Sequence, residues 1–400
     1  MARTMMGAVS LLAVCACATT PSASLTESEA PTRAATYEPE RPKVSPTAPS
    51  DPALVARFAP NPSRDGAINY ELIDEALDLM VFNAGPSLRR RSSRPDAEVG
   101  TRFAKGHESP YRLEGNKVFF SQFDQEVIDA VGEYRRSLEQ IGASGKVQSL
   151  PRNEQLAYWY NLHNFVVIDE IAQRYPVTQP RDLKIGPNGE SFHEAKVVDL
   201  GDVGLNLREV REIVYAHWDD PKVMYGFYLG DIGGPSIRDQ AYTGANVGTA
   251  LSSQAREFVN SLRGVSRGSG NLYVSAFYDE GRPHFFPDWP ADIRAHVAKY
   301  ADDEVEELLA EDRPLRFASY EPDIADMAGG DVTSSLNVTA APGSAAGSPR
   351  PGVPEGVARM AREFNYKLEE LRRDGYLRGR VIIIDVPTED EDEGADGEVD

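Results

Sequence analysis

The sequence predicts an α/β (or α+β) fold: helices packed on a small central sheet, in a single main domain carried between disordered tethers. Three observations lead there. Segments with apolar residues at helical spacing alternate with short β-rich runs, which favours a mixed class over an all-helical one. Two stretches almost devoid of large apolar residues, 18–56 and 329–356, bracket about 270 residues, the size of one large domain. Residues 156–168, LAYWYNLHNFVVI, are apolar or aromatic nearly all round, as expected of a helix buried on every side.

Residues 1–17 have the parts of an export signal: Arg3 for charge, an apolar run over 5–14, and small residues at its end. That run is far short of the roughly 20 residues a membrane-spanning helix needs. Val14-Cys15-Ala16-Cys17-Ala18 resembles a lipobox, and Cys17 fits better than Cys15 because a small residue precedes it. The expectation is a lipoprotein acylated at Cys17, periplasmic, with Ala18 pointing to the outer membrane; simple secretion is the alternative. Cys15 and Cys17 are the two cysteines of the chain, so processing at Cys17 leaves no thiol for a disulfide, a zinc site or a nucleophile. The net charge of −21 argues against nucleic acid, whose phosphates are met by Lys and Arg, and against binding acidic membranes by charge. The expected partners are the membrane, through the lipid anchor, and an envelope ligand or protein. No cofactor is expected.

Within 57–117, an N-terminal helical extension, residues 70–82 have amphipathic helical spacing. The loop over 88–94, LRRRSSR, is the strongest positive patch in an acidic chain and reads as an exposed charged loop that could clamp an anionic group. Residues 111–120 predict a turn at Gly115-Asn116 and then a strand. A helix is predicted over 126–141. The buried helix over 156–168 has Pro151 in its first turn and Ser149 as a cap. Next come a short strand and turn over 196–201. A helix then buries Leu207, Val210, Ile213, Val214 and His217 and turns Arg208, Glu209, Arg211 and Glu212 outward. Strands follow over 223–229 and 272–277. Residues 282–289, RPHFFPDW, are dense in aromatics, from core packing or as the rim of a sugar or peptide groove. After the linker 329–356, residues 357–386 form a helix and a β-rich run with a proline stop. Residues 387–400 carry eight acids from Glu389 onward and read as a solvated tail.

Ala157-Tyr-Trp-Tyr-Asn-Leu-His-Asn164 resembles the Ala-Phe-Trp-x-Asn-Leu-Tyr-Asn signature of the domain-of-unknown-function 547 family. Asp220-Pro-Lys-Val223 is similar to that family's Asp-Pro-Arg-Ile, Tyr242-Thr243 to its Tyr-Thr, and Tyr320-Glu-Pro-Asp323 more weakly to its end. The resemblance covers about residues 118–328 and implies a fold more than an activity. It also marks departures. Where the family commonly has Asn-Cys-Gly and then Cys-Pro, this chain has Tyr228-Leu229-Gly230 and Gly234-Pro235, so both cysteines are absent. Met224 stands at a position often held by histidine, and His163 replaces the tyrosine of the signature. Thiol chemistry cannot be carried over.

Three polar residues set into the apolar helix, Asn161, His163 and Asn164, must be hydrogen-bonded or line a cavity, because an unpartnered buried polar group costs about 1–3 kcal/mol. His163 is the candidate general base, with Asp231 or Ser236 brought near by the loop over 230–235, although a lone histidine on a buried helix is more often a satisfied core residue. Ser236 follows Gly233-Gly234-Pro235 but lacks the Gly-x-Ser-x-Gly strand-to-helix context. Asn161, Asn164, Gly230 and Arg238 are expected to form a ligand-binding or structural polar network. His193-Glu194 and His284 have no partner at metal-ligand spacing, so no metal is expected. The leading expectation is a catalytically degenerate, ligand- or protein-binding domain. The alternatives are a cell-envelope hydrolase or transferase using His163 with Asp231 or Ser236, and a structural envelope lipoprotein.

Overall fold

The computed structural model describes residues 51–63, 65–95, 106–331 and 355–375. Among these described residues, ten α-helices run in chain order: α1 Pro52–Arg57, α2 Glu71–Met80, α3 Gln125–Ala143, α4 Arg152–Ala172, α5 Leu207–His217, α6 Val247–Val259, α7 Tyr278–Phe285, α8 Ala291–Ala298, α9 Asp303–Ala310 and α10 Glu355–Arg373. The strands are short: β1 Val81–Phe82, β2 Lys117–Val118, β3 Val198–Asp199, β4 Gly204–Leu205, β5 Val265–Gly268, β6 Asn271–Val274 and β7 Leu315–Phe317. They make three small sheets, with β1 antiparallel to β2, β3 antiparallel to β4, and β6 between antiparallel β5 and parallel β7. The class is mixed, as predicted. Helices dominate it.

Helix α4 is the axis of the fold. Its residues from Glu154 to Ala172 are all buried, so an apolar surface on every side is what the position requires. Helix α3 lays its apolar stripe along α4, and Arg135 fixes the pair through Asp169 and Glu170, each at 2.7 Å. Glu154 enters the core because its carboxylate accepts from the Ile68 and Gly244 backbone N–H groups, which ties two distant loops to the start of α4.

A second device joins remote parts of the chain. Val118 pairs with Val81 on one side and with Asp326 on the other, and Ile324 in turn pairs with Asp231. One backbone ladder therefore connects the 81–82 and 117–118 segments to the 231 loop through residues 324–326. Helix α10 also joins this body. Met360 and Phe364 bury against Ala84 and Met327, Arg112 makes a two-pronged pair with Glu363 (2.6 and 3.0 Å), and Lys367 Nζ donates to the Leu113 carbonyl at 2.8 Å.

The structure corrects three local expectations. Residues 223–229 do not form a strand: Pro221–Gly226 is a 3₁₀ helix, capped by the Asp220 side chain on Lys222 N–H. The cause is α4, whose Tyr160 hydroxyl and Asn164 amide hold the carbonyls of Val223 and Gly226, leaving no edge for a neighbouring strand. Ser149 does not cap α4. Its hydroxyl turns back to Lys146, Pro151 takes the N-cap position, and the Gln155 side chain satisfies the carbonyls of Gln148 and Leu150 instead. Arg211 points inward, with 3% of its side chain exposed.

Among the described residues, no helix is long and apolar enough to cross a membrane. Cys17, most of the 18–56 stretch, residues 332–354 of the linker, the β-rich run after α10 and the acidic segment 387–400 lie outside the described residues. The last part of the 18–56 stretch, from Pro52, is helical.

Candidate functional site

Asn161 and Asn164 sit three residues apart on α4, hence on one face of it. Asn161 donates to the Tyr242 carbonyl at 2.7 Å and accepts from the Tyr242 N–H at 3.0 Å, imitating a paired strand with its side chain. Asn164 donates to the Gly226 carbonyl at 3.0 Å and accepts from the Tyr228 N–H at 2.9 Å. Each amide thus satisfies two backbone groups that burial would otherwise orphan. These two side chains, with Leu77, Phe165, Ile237, Arg238, Gln240 and Tyr242, line a small cleft. Arg238 lies over the Tyr242 ring, 4.8 Å from its centroid, and donates to Gln240 at 3.1 Å. Three of the four residues predicted to form a polar network therefore share one cleft.

Gly230, the fourth, belongs to the ladder, where its carbonyl accepts from Ala325 N–H. Its φ of +87° favours glycine, and a Cβ there would in addition push on the Ile171 Cδ1, 2.8 Å away. The positions that the family resemblance gives as cysteine, 229 and 234, are neighbours: a Cβ on Gly234 would lie 3.1 Å from the Leu229 Cβ. Leu229 is buried there and fills the space with hydrocarbon.

His163 is completely buried. Arg211 Nη1 lies 3.0 Å from its Nε2, and its Nδ1 lies 3.2 Å from Asn164 Oδ1. Since a guanidinium only donates, Nε2 must accept and Nδ1 must carry the proton. The ring is the neutral Nδ1–H tautomer. Burial, and then the adjacent Arg211 charge, push its pKa well below the usual histidine range. The same Arg211 Nη1 makes a longer contact, 3.5 Å, to His193 Nδ1, and its other nitrogens hold Glu280 at 2.6 and 3.0 Å. His193 is held neutral for the same two reasons, burial first and Arg211 second.

Asp231 and Ser236 are held elsewhere. Asp231 accepts from Arg181 Nε and the Tyr320 hydroxyl, each at 2.5 Å, and from Gly234 N–H at 3.1 Å. Arg181 lies over the Tyr320 ring, 4.1 Å from its centroid. Burial raises the Asp231 pKa, while Arg181 and Tyr320 act against it. The Ser236 hydroxyl donates to Glu257 at 3.1 Å and accepts from Arg263 Nη2 at 2.8 Å and from Asn116 N–H at 3.3 Å. Among the described residues no hydrogen bond joins His163 to Asp231 or Ser236.

The sequence does not single out Glu280 or Arg181; it offers His193 only as a metal ligand without partners, Tyr320 only as part of the weak family match, and Arg211 as an outward-facing residue. For Arg211 the signal was present: Leu207, Val210, Arg211 and Val214 fall at the i, i+3, i+4, i+7 positions of the buried stripe. The aromatic segment is also occupied, for Trp289 stacks on Phe317 at 4.8 Å and Arg282 lies 5.1 Å from its ring. Among the described residues, no three His, Cys, Asp or Glu side chains converge to hold a metal.

The fold and its site define a mixed α+β domain organised around a buried helix whose polar side chains bind neighbouring backbone. Residues 147–259, from just before α4 to the end of α6, match the family model described as protein of unknown function, DUF547. The match spans the α4 signature. No curated protein and no solved structure matches the chain.

Proposed function

We propose that the protein is a periplasmic lipoprotein, anchored to the outer membrane through an acylated Cys17, whose folded body binds an envelope ligand or protein without acid–base or nucleophilic chemistry at His163. One observation carries the catalytic half of this reading. The one lone pair that a neutral His163 offers as a base is directed at Arg211, and a general base needs that pair free and within reach of a substrate proton. Asp231 and Ser236 support the reading in the same way, since each is engaged by an arginine and makes no hydrogen bond to His163. The cleft beside Arg238 and Gln240 has room for about one water and its two asparagine amides are engaged by backbone, so the ligand or partner would be met on the surface rather than inside it.

Two experiments test the two halves. Labelled fatty acid should enter the protein in cells, survive Cys15→Ser and be lost in Cys17→Ser; labelling that persists in Cys17→Ser rules out that anchor. His163→Gln keeps a side-chain acceptor for Arg211 while removing the imidazole. It should support an envelope phenotype of the deleted gene as well as the parent does at equal protein level, whereas loss of function in a folded, normally abundant variant would restore the hydrolase or transferase reading.

A further inference from the structure

The loop over 88–94 divides its arginines. Arg89 turns inward, donating to the Ser261 and Val265 carbonyls at 3.3 and 3.0 Å and pairing with Glu304 at 2.8 Å, which fastens the loop to the body. Arg90, Arg91 and Arg94 are exposed. Arg90 reaches the last turns of α10, where Glu370 takes it at 2.5 Å and takes Arg373 at 3.9 Å, so two arginines from remote parts of the chain converge on one carboxylate. Arg91 donates to the Tyr111 hydroxyl at 2.9 Å and lies 5.4 Å from that ring's centroid, with no acid partner among the described residues. Arg94 and Arg372 likewise have none there. Five exposed arginines thus stand against Glu369, Glu370 and Asp374, leaving a positive island on a chain of net charge −21.

The chain leaves this island at Gly375 and, 14 residues later, begins a run of eight acids from Glu389 to Asp400. Fourteen residues reach at most about 50 Å, more than enough to bring those acids back to Arg90 and Arg373 beside their own point of departure. Tethering also supplies the acids at an effective concentration on the order of millimolar, above that of a free competitor. We propose that Arg90, Arg91, Arg94, Arg372 and Arg373 form an anion-recognition patch occupied within the same molecule by the acidic segment 389–400. The contact is electrostatic, between exposed groups, and so is screened by salt.

The test is paramagnetic broadening in the full chain, with Cys15 and Cys17 replaced by serine and a nitroxide placed on Ala395→Cys. At low salt the amide signals of residues 88–94 should broaden at least twofold more than in a variant carrying Arg90→Ser, Arg91→Ser and Arg94→Ser. The excess should vanish above about 0.5 M salt, where the screening length falls to a few ångströms. Equal broadening in parent and variant would mean that the tether alone brings the acids near, and it would overturn the proposal. Absence of broadening, or an excess that survives high salt, would overturn it too.

Discussion

A guanidinium has five N–H groups, and in Arg211 four of them already point at partners: two at Glu280, one at His163 and, more distantly, one at His193. Removing it would strip Glu280 of the hydrogen bonds to both its carboxylate oxygens and leave both imidazoles short of a donor. Arg211→Ala should therefore lower stability by about 3 kcal/mol in urea denaturation, the low end for breaking a buried pair because Glu280 keeps some water. The same variant should move the His163 pKa upward, since a neighbouring positive charge has been removed. Asn164→Ala orphans the Gly226 carbonyl and the Tyr228 N–H together and should lose about 2–4 kcal/mol of stability in urea denaturation. Sequence reasoning could find Asn161, His163 and Asn164, because polar groups in an apolar helix declare themselves. It could not find their partners. Tyr242, Gly226 and Tyr228 contribute backbone atoms, which every residue has, and only the fold decides which of them lie within reach.

At the scale of elements, α3, α4, α5 and α10 were legible because each carries a long apolar stripe or an unbroken apolar surface. The run 223–229 misled because its composition is that of a strand while its hydrogen bonds go to α4 side chains. Arg211 misled through its charge, although its spacing placed it on the buried stripe. Helix α10 is held by a small apolar cluster and several polar contacts. Truncating Phe364 to Ala should cost about 3–5 kcal/mol of docking and speed amide exchange throughout α10 while α4 stays protected. Docking should also depend on pH. Burial depresses the Lys367 pKa to about 8, below its unfolded value, so the stability it contributes is present above the unfolded pKa. That contribution is lost as pH falls toward 8 and is constant below. Lys367→Met should abolish this dependence in exchange rates measured between about pH 7 and 10.

At the largest scale, the ladder through residues 324–326 is what makes one body out of the N-terminal extension, the residues that match the family model and those after them. Asp326 lies in that ladder, fully buried, with Oδ2 accepting from the Tyr175 hydroxyl and from the Ala328 and Gly330 N–H groups. Burial raises its pKa to about 6 despite those donors. A carboxyl raised above its unfolded value contributes stability that is complete below the unfolded pKa and is lost as pH rises through the folded one. The parent should therefore lose stability relative to Asp326→Asn between about pH 4 and 7, read as the difference of two urea series. The account as a whole rests on His163 being locked by Arg211, and the ¹⁵N shifts of its ring nitrogens between about pH 5 and 8 report that directly. The ring should be a single neutral Nδ1–H tautomer throughout, with no titration. A ring that titrates in this range, or that carries its proton on Nε2, would contradict it and make His163 available as a base.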